Sequence, residues 1–242
     1  MQSPLANISP VVKNLLIINI IFYIAMLTLP GLEMVRWLSA FYFDSPFFRP
    51  WQPITYMFMH SPDTFMHIFF NMFALVMFGT IIEQTLGFKR FVEFYFITGL
   101  GALALHMAVQ AYEIYSVLGQ FTIPRNFSTE LIQSLTDKGI SAAEVQSLGS
   151  IYGTPILGAS GAIFGILLAF AFLYPNVELM IMFIPVPVKA KYVVPVYMLI
   201  ELFLGVRQSA GDSVAHFAHL GGALFGFILL KIWGYRNSKN FF

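Results

Sequence analysis

The chain has 242 residues, of which 58% are hydrophobic and 10% are charged, and its mean hydropathy is +0.75. Soluble domains are about one-quarter charged, so this composition predicts a polytopic membrane protein. A net charge of +1 argues against nucleic acid as a partner, and the absence of cysteine excludes disulfides, thiolate metal sites and a cysteine nucleophile.

Six apolar segments are candidate membrane spans, because a span needs roughly 20 mainly apolar residues. The first segment is too long for the apolar core of a cleavable signal peptide, so we expect a retained signal-anchor helix. The predicted fold is an all-α polytopic membrane protein, with residues 1–242 forming a single domain. The predicted spans cover residues 11–29, 65–86, 91–111, 158–174, 192–206 and 214–233.

The distribution of charge predicts the orientation of these spans. An even number of spans puts both termini on one side, and lysine and arginine are enriched on the cytoplasmic side of membrane proteins. We therefore expect both termini in the cytoplasm. The segments grouped with the termini hold most of the basic residues, namely Lys13, Lys89, Arg90, Lys189, Lys191, Lys231, Arg236 and Lys239.

The two long loops on the opposite side differ in composition. Residues 30–64 are rich in aromatic side chains, which suits either a segment in the lipid headgroup region or an ordinary interface loop. Residues 112–156 are the most polar part of the chain, and Ser141-Ala142-Ala143-Glu144 has the form of a capping box. We expect one or two short amphipathic surface helices there and no separate domain.

Ser160 lies at the start of the fourth span, within Gly158-Ala159-Ser160-Gly161. Free backbone N–H groups and the helix dipole favour negative charge at a helix N-terminus, so a serine there can form and stabilise an oxyanion. Gly161 and Gly165 also form a Gly-x-x-x-Gly pattern, which is typical of close helix packing in membranes. The serine is therefore either a nucleophile or a packing residue.

The sixth span contains a matching surface. His219 is followed by Gly222 and Gly226, three and seven residues on, so all three share one helical face. Packing of this face on that of the fourth span would bring His219 to Ser160 at equal depth, as a serine–histidine pair requires. The alternative is a structural histidine. No carboxylate is expected at a depth suited to orient His219, since Asp212 lies in the preceding loop, so the predicted arrangement is a dyad.

The second span carries His67 and Asn71, which are four residues apart and share a helical face. Both side chains can donate hydrogen bonds towards a neighbouring helix. Donors aimed at a developing oxyanion commonly supply the largest catalytic contribution. The pair is therefore either part of an oxyanion hole or a polar contact between helices.

Taken together, these motifs resemble the rhomboid intramembrane serine proteases in their minimal six-helix bacterial form. The resemblance runs from about Trp51 to Gly226. One departure lies before the second span, where the family often has Trp-Arg and this chain has Trp51-Gln52. The resemblance rests on Gly158-Ala159-Ser160-Gly161, Ala218-His219-Leu220-Gly221-Gly222 with Gly226, His67-Ile68-Phe69-Phe70-Asn71-Met72, and Gly79, Glu83 and Gly87.

The resemblance implies an endopeptidase that needs neither a cofactor nor a metal. Ser160 would be the nucleophile and His219 the general base and acid. The Ser160 N–H, His67 and Asn71 would form the oxyanion hole, Gly158 would shape the turn, and Phe164 would pack on the imidazole. Substrates would be transmembrane segments of membrane proteins, cut within the lipid bilayer near its outer face. The location implied is a bacterial inner membrane.

The expected mechanism requires access for both substrate and water. A substrate helix would enter laterally between spans two and five, and water would reach the serine from outside. Gly205, Gly211 and Asp212 suit a mobile loop over residues 206–214 above such a cavity.

Two other functions remain as alternatives. One is a catalytically silent relative that binds transmembrane helices as a chaperone or quality-control factor. The other is a small transporter with Glu201, His216 and His219 as an ion relay, which the lack of evident internal repeats disfavours. Glu201 either faces a cavity or caps a polar network, and His60 and His216 are expected to be structural partners of groups at the outer face.

Overall fold

The computed structural model describes residues 8–123, 129–180, 186–207 and 215–236, and helices dominate it. A short antiparallel ribbon, β1 (Glu178–Leu179) and β2 (Val188–Lys189), links the fourth and fifth long helices. The helices are α1 (Pro10–Thr28), α2 (Met34–Leu38), α3 (Gln52–Thr55), α4 (Phe65–Leu86), α5 (Phe88–Leu118), α6 (Thr129–Asp137), α7 (Ala142–Gly153), α8 (Ser160–Leu173), α9 (Ala190–Arg207) and α10 (His216–Ile232).

Six of these helices, α1, α4, α5, α8, α9 and α10, lie at the six predicted spans and form an all-α bundle, which confirms the predicted fold class. The largest difference is in α5, which has 31 residues and extends well beyond the predicted span 91–111. It ends at Gly119, whose φ of 67° is a left-handed conformation that glycine adopts without strain. Within α4, residues Leu75–Gly79 form a π-helical turn.

The long helices differ in how they could cross a membrane. Among the described residues, α1, α4 and α5 are long and apolar enough to span on their own. The 14 residues of α8 extend only about 21 Å, less than the hydrocarbon thickness of roughly 30 Å. At least one end of α8 therefore lies at hydrocarbon depth, where polar groups are tolerated only inside protein or against a wet cavity.

The core is formed where α5, α8 and α10 meet, and glycines allow that approach. A Cβ at Gly222 of α10 would lie 1.8 Å from the Gly161 carbonyl oxygen of α8, and one at Gly226 would lie 3.2 Å from the Gly165 Cα. On the other side of α8, a Cβ at Gly161 would lie 2.4 Å from the Ala102 Cβ of α5. The backbones of α8 and α10 are therefore in direct contact along the two Gly-x-x-x-Gly surfaces.

The surrounding helices present apolar side chains outwards, as a membrane bundle must. A soluble protein would have polar side chains at these positions, whereas here the exposed apolar side chains are expected to contact lipid. Exposed apolar side chains on α1, α4 and α9 include Ile21, Ile24, Met66, Phe69, Phe73, Leu199, Ile200 and Phe203.

The two long loops pack together at the end of the bundle where α8 begins. Of the one or two surface helices predicted for residues 112–156, two are present, α6 and α7. The capping box is formed, since Glu144 N–H donates to Ser141 Oγ at 3.3 Å and Ser141 N–H donates to Glu144 Oε2 at 2.8 Å. The Ser141 hydroxyl also donates to Glu144 Oε2 at 2.6 Å, and this bond, together with the one from the Ser141 N–H, lowers the pKa of Glu144.

Residues 30–64 are only partly the exposed aromatic segment that the composition suggests. Trp37 and Trp51 are exposed, but Phe41 and Tyr42 are buried. Tyr42 OH donates to the Phe121 carbonyl at 2.9 Å, and burial together with nearby Asp44 raises the pKa of Tyr42 to about 12. An apolar cluster joins the two loops to the end of α5, formed by Tyr42, Ile114, Ile123, Leu135, Val145, Leu148, Ile151 and Tyr152.

The departure at Trp51-Gln52 has a structural role of its own. The Gln52 side chain is fully buried. Its Oε1 accepts from the Arg49 N–H at 3.0 Å, and its Nε2 donates to the Phe47 carbonyl at 3.0 Å. A neutral amide therefore organises the turn at this point of the loop.

Candidate active site

Ser160 and His219 meet where α8 and α10 begin. Ser160 is the first residue of α8, and His219 lies in the first turn of α10. The glycine contacts between these helices set their spacing, and His219 Nε2 lies 2.9 Å from Ser160 Oγ. This is hydrogen-bond distance, so the hydroxyl can donate to the imidazole if Nε2 carries no proton.

Phe164 fixes the plane of the histidine ring. It lies one turn after Ser160 on α8, and its ring is stacked on His219 with centroids 4.1 Å apart and planes 5° apart. Its other ring contact is with Tyr197 of α9, at 5.0 Å. The imidazole is therefore held flat against an apolar surface, with its two nitrogen atoms pointing to opposite neighbours.

Glu201 supplies the second neighbour of His219. The expectation that no carboxylate lies at a depth suited to orient this histidine is wrong, because Glu201 Oε2 lies 2.8 Å from His219 Nδ1. The same oxygen lies 2.7 Å from His216 Nδ1. Of the two roles open for Glu201, the structure supports the polar network.

A signal for this cluster was present in the sequence. Ionisable residues within spans are functional hypotheses by default, and Glu201 is the acid of the fifth span. His216 and His219 are three residues apart and so share a helical face. The sequence grouped these three residues only as the ion relay of a transporter, because the rotation of α9 and α10 towards each other is not encoded in their spacing.

Three side chains of this cluster also have the composition of a metal site. Glu201, His216 and His219 each offer a ligand atom, and these atoms lie within 4.8 Å of one another. Both Nδ1–Oε2 distances are hydrogen-bond distances, so the groups satisfy one another without an ion. That no metal is required stays a prediction.

Gly158 opens the space on the other side of the serine. Its φ of +130° strongly favours glycine, and its N–H donates to the Tyr56 carbonyl at 3.0 Å. A Cβ there would lie 3.1 Å from His67 Nε2 and 3.5 Å from Ser160 Oγ. The missing side chain therefore leaves a gap between His67 and Ser160 into which a substrate carbonyl oxygen could fit.

His67 has the correct tautomer to donate into this gap. The Ser61 N–H donates to His67 Nδ1 at 3.3 Å, so a neutral His67 carries its proton on Nε2, the atom facing Gly158. His60 packs edge-on against His67, with ring centroids 5.2 Å apart. Burial lowers the pKa of His60 to about 3, so this supporting ring is neutral at pH 7.

Asn71 lies one turn further along α4 on the same face. Its Nδ2 donates to the His67 carbonyl at 2.9 Å, and the side chain is buried. This bond holds the amide near the His67 backbone and occupies one of its two N–H donors.

The loop predicted to cover the site, residues 206–214, lies mostly outside the described residues. Gly205 lies at the end of α9, where a Cβ would lie 3.1 Å from the His216 Cβ. Gly211 and Asp212 lie outside the described residues.

The fold and this site together define a class of protein, namely a multi-pass, all-α membrane bundle with a serine and a histidine in contact at a helix N-terminus. A family model for the Rhomboid domain matches residues 48–236, and the chain belongs to the rhomboid family. The family predicted from the motifs is therefore confirmed. The family contains intramembrane serine proteases and inactive relatives.

A curated relative supports the assignment. The chain is 32% identical over 164 residues to "RHOMBOID-like protein 12, mitochondrial" of Arabidopsis thaliana. The match covers 65% of this chain and 39% of the relative, so it spans well under half of the relative's length.

Proposed function

We propose that this protein is an intramembrane serine endopeptidase that cleaves transmembrane segments of other membrane proteins. The observation that carries the proposal is the 2.9 Å contact between Ser160 Oγ and His219 Nε2 at a helix N-terminus. A histidine in this position can accept the hydroxyl proton as the serine attacks a carbonyl. Inactive relatives lose the serine or the histidine, and this chain retains both.

The first half-reaction forms an acyl-enzyme. Ser160 Oγ bonds to the scissile carbonyl carbon while its proton passes to His219 Nε2. The carbonyl oxygen becomes negatively charged and would be stabilised by the Ser160 N–H, by His67 Nε2–H and by Asn71. The C–N bond then breaks, and the leaving amine takes the proton from His219.

The second half-reaction releases the acyl group. Water donates a proton to His219 Nε2 as its oxygen attacks the ester, and the proton returns to Ser160 when the ester bond breaks. The supply of water fits the short α8, whose end carrying Ser160 would open towards the membrane surface.

Lateral access between α4 and α9 remains the expected route for the substrate. Both helices carry exposed large apolar side chains, including Phe69 and Phe73 on α4 and Leu199 and Phe203 on α9. A transmembrane substrate could exchange lipid contacts for contacts with these faces. We also propose, from the distribution of charge, that both termini are cytoplasmic. The resemblance to the minimal bacterial form supports a further proposal, that the protein resides in a bacterial inner membrane.

Labelling of the detergent-purified protein with a fluorophosphonate tests the proposal. Wild type should be labelled, whereas Ser160→Ala and His219→Ala should not be. Ser116→Ala is the matched control, because Ser116 is an exposed serine whose hydroxyl donates to the Glu113 carbonyl of its own helix at 2.8 Å. A folded wild type that fails to label, or a Ser160→Ala protein that still cleaves a transmembrane substrate, would refute it and favour helix binding without catalysis.

A further inference from the structure

The polar cluster next to His219 has a geometry that controls where the histidine proton sits. Glu201 is 4% exposed, and its Oε2 lies 2.8 Å from His219 Nδ1 and 2.7 Å from His216 Nδ1. An ionised carboxylate only accepts hydrogen bonds, so both Nδ1 atoms must be the donors. A neutral imidazole has one N–H, so His219 Nε2 is then unprotonated.

This proton position is the one that the proposed chemistry needs. An unprotonated Nε2 can accept the Ser160 hydroxyl proton, whereas the other tautomer would direct an N–H at the hydroxyl and could not act as a base. Both ends of the imidazole are therefore satisfied at once, by Oε2 at 2.8 Å and by Oγ at 2.9 Å.

The surroundings of the carboxylate also favour a role in the reaction. A buried carboxylate in an apolar bundle is costly unless it is hydrogen-bonded, and Glu201 receives two charge-assisted hydrogen bonds. When His219 takes the serine proton it becomes an imidazolium, and the negative charge already beside it stabilises that ion. A neutral partner at the same position would supply no such stabilisation.

We propose that Glu201 is a positioning residue that extends the serine–histidine pair to Ser160–His219–Glu201, and that His216 anchors its carboxylate. This inference rests on the proposed function. Glu201 sets the tautomer of His219 and stabilises its protonated form, while the hydrogen bond from His216 Nδ1 holds Oε2 in line with His219.

Substitution of Glu201 tests the first part. Glu201→Gln preserves size but removes the charge, and we expect the fluorophosphonate labelling rate and kcat to fall by about 10²-fold or more, with KM little changed. Glu201→Asp restores the charge one methylene further away and should recover part of the loss. The matched control is Glu83→Gln, because Glu83 is also 4% exposed but bonds Ser9, Val11 and Val12 elsewhere in the bundle.

Substitution of His216 tests whether this residue anchors the Glu201 carboxylate. This test can be made even if Glu201→Gln does not fold. The amide of Asn can place an N–H near the position of Nδ1, so His216→Asn should label close to the wild-type rate and His216→Ala at least about tenfold more slowly. In the Glu201→Gln background, His216→Ala should add little further loss, since the two residues act through one contact.

The outcomes separate this inference from the proposed function. If wild type labels and Ser160→Ala does not, but folded Glu201→Gln labels within about threefold of wild type, Glu201 is only a contact between helices. Equal labelling of His216→Asn and His216→Ala would likewise overturn the role of His216. A wild type that does not label would instead overturn the proposed function itself.

Discussion

Gly222→Ala is the sharpest test of how helix packing builds the site. The added Cβ would lie 1.8 Å from the carbonyl oxygen of Gly161, which is backbone and cannot rotate away. To restore ordinary van der Waals contact, α10 would have to move about 1.5 Å from α8. His219 is three residues earlier on α10 and would move with it.

The expected effect can be estimated from this displacement. A shift of about 1.5 Å would break the 2.9 Å contact between His219 Nε2 and Ser160 Oγ. Misplacement of a catalytic group by about 1 Å can reduce the rate about 10²-fold, and overpacking of a core costs about 1–3 kcal/mol. We therefore expect labelling to slow by at least about 10²-fold, with a clearly lower melting temperature.

The assay compares fluorophosphonate labelling rates and thermal melts of purified variants. Gly153→Ala is the matched control, because a Cβ there would have no atom within 4 Å, and it should behave as wild type. Wild-type labelling and melting by Gly222→Ala would mean that α8 and α10 do not touch at this point, and the packing argument would fail.

Three further predictions use other parts of the structure. His67→Ala should reduce kcat about 10²- to 10³-fold by removing an oxyanion donor, with KM little changed; an unchanged kcat would exclude His67 from the oxyanion hole. The pKa of Glu144 is lower in the folded protein than its unfolded value of 4.5. The ionised carboxylate therefore contributes its full capping stability above pH 4.5, and this contribution is lost as the pH falls through the folded-state pKa. Thermal melts from pH 7 to pH 3 should therefore show a stability loss that is smaller in Glu144→Gln, and identical pH dependence in both proteins would contradict this. Dialysis against EDTA should leave the labelling rate unchanged, because the Nδ1 atoms of His216 and His219 already have a carboxylate partner; a loss restored by zinc would point to a metal at that cluster.

Much of the bundle follows from residue spacing alone. Helical periodicity places Gly161 with Gly165, and Gly222 with Gly226 and His219, on single faces, and small residues favour helix contact in membranes. Since this pattern is local to each helix, it predicted the α8–α10 packing that the structure contains. The capping box at Ser141 was predictable for the same reason, because its partners are three residues apart.

Other features depend on contacts between residues that are far apart in the sequence, which helical spacing does not predict. The burial of Phe41 and Tyr42 follows from packing of residues 30–64 on the end of α5, which composition does not report. The 31-residue length of α5 likewise follows from that packing, since its last turns lie against the loop cluster and need not be uniformly apolar.

Composition and residue spacing predicted the membrane class, the six spans, the family and the approach of His219 to Ser160. The contact of Glu201 with His216 and His219 became evident from the folded structure. The reason is physical: α9 has Leu199, Ile200 and Phe203 exposed around Glu201, so its hydropathy pattern does not specify which face turns inward. The rotation of α9 against α10 decides that, and it places one carboxylate oxygen between two imidazole rings.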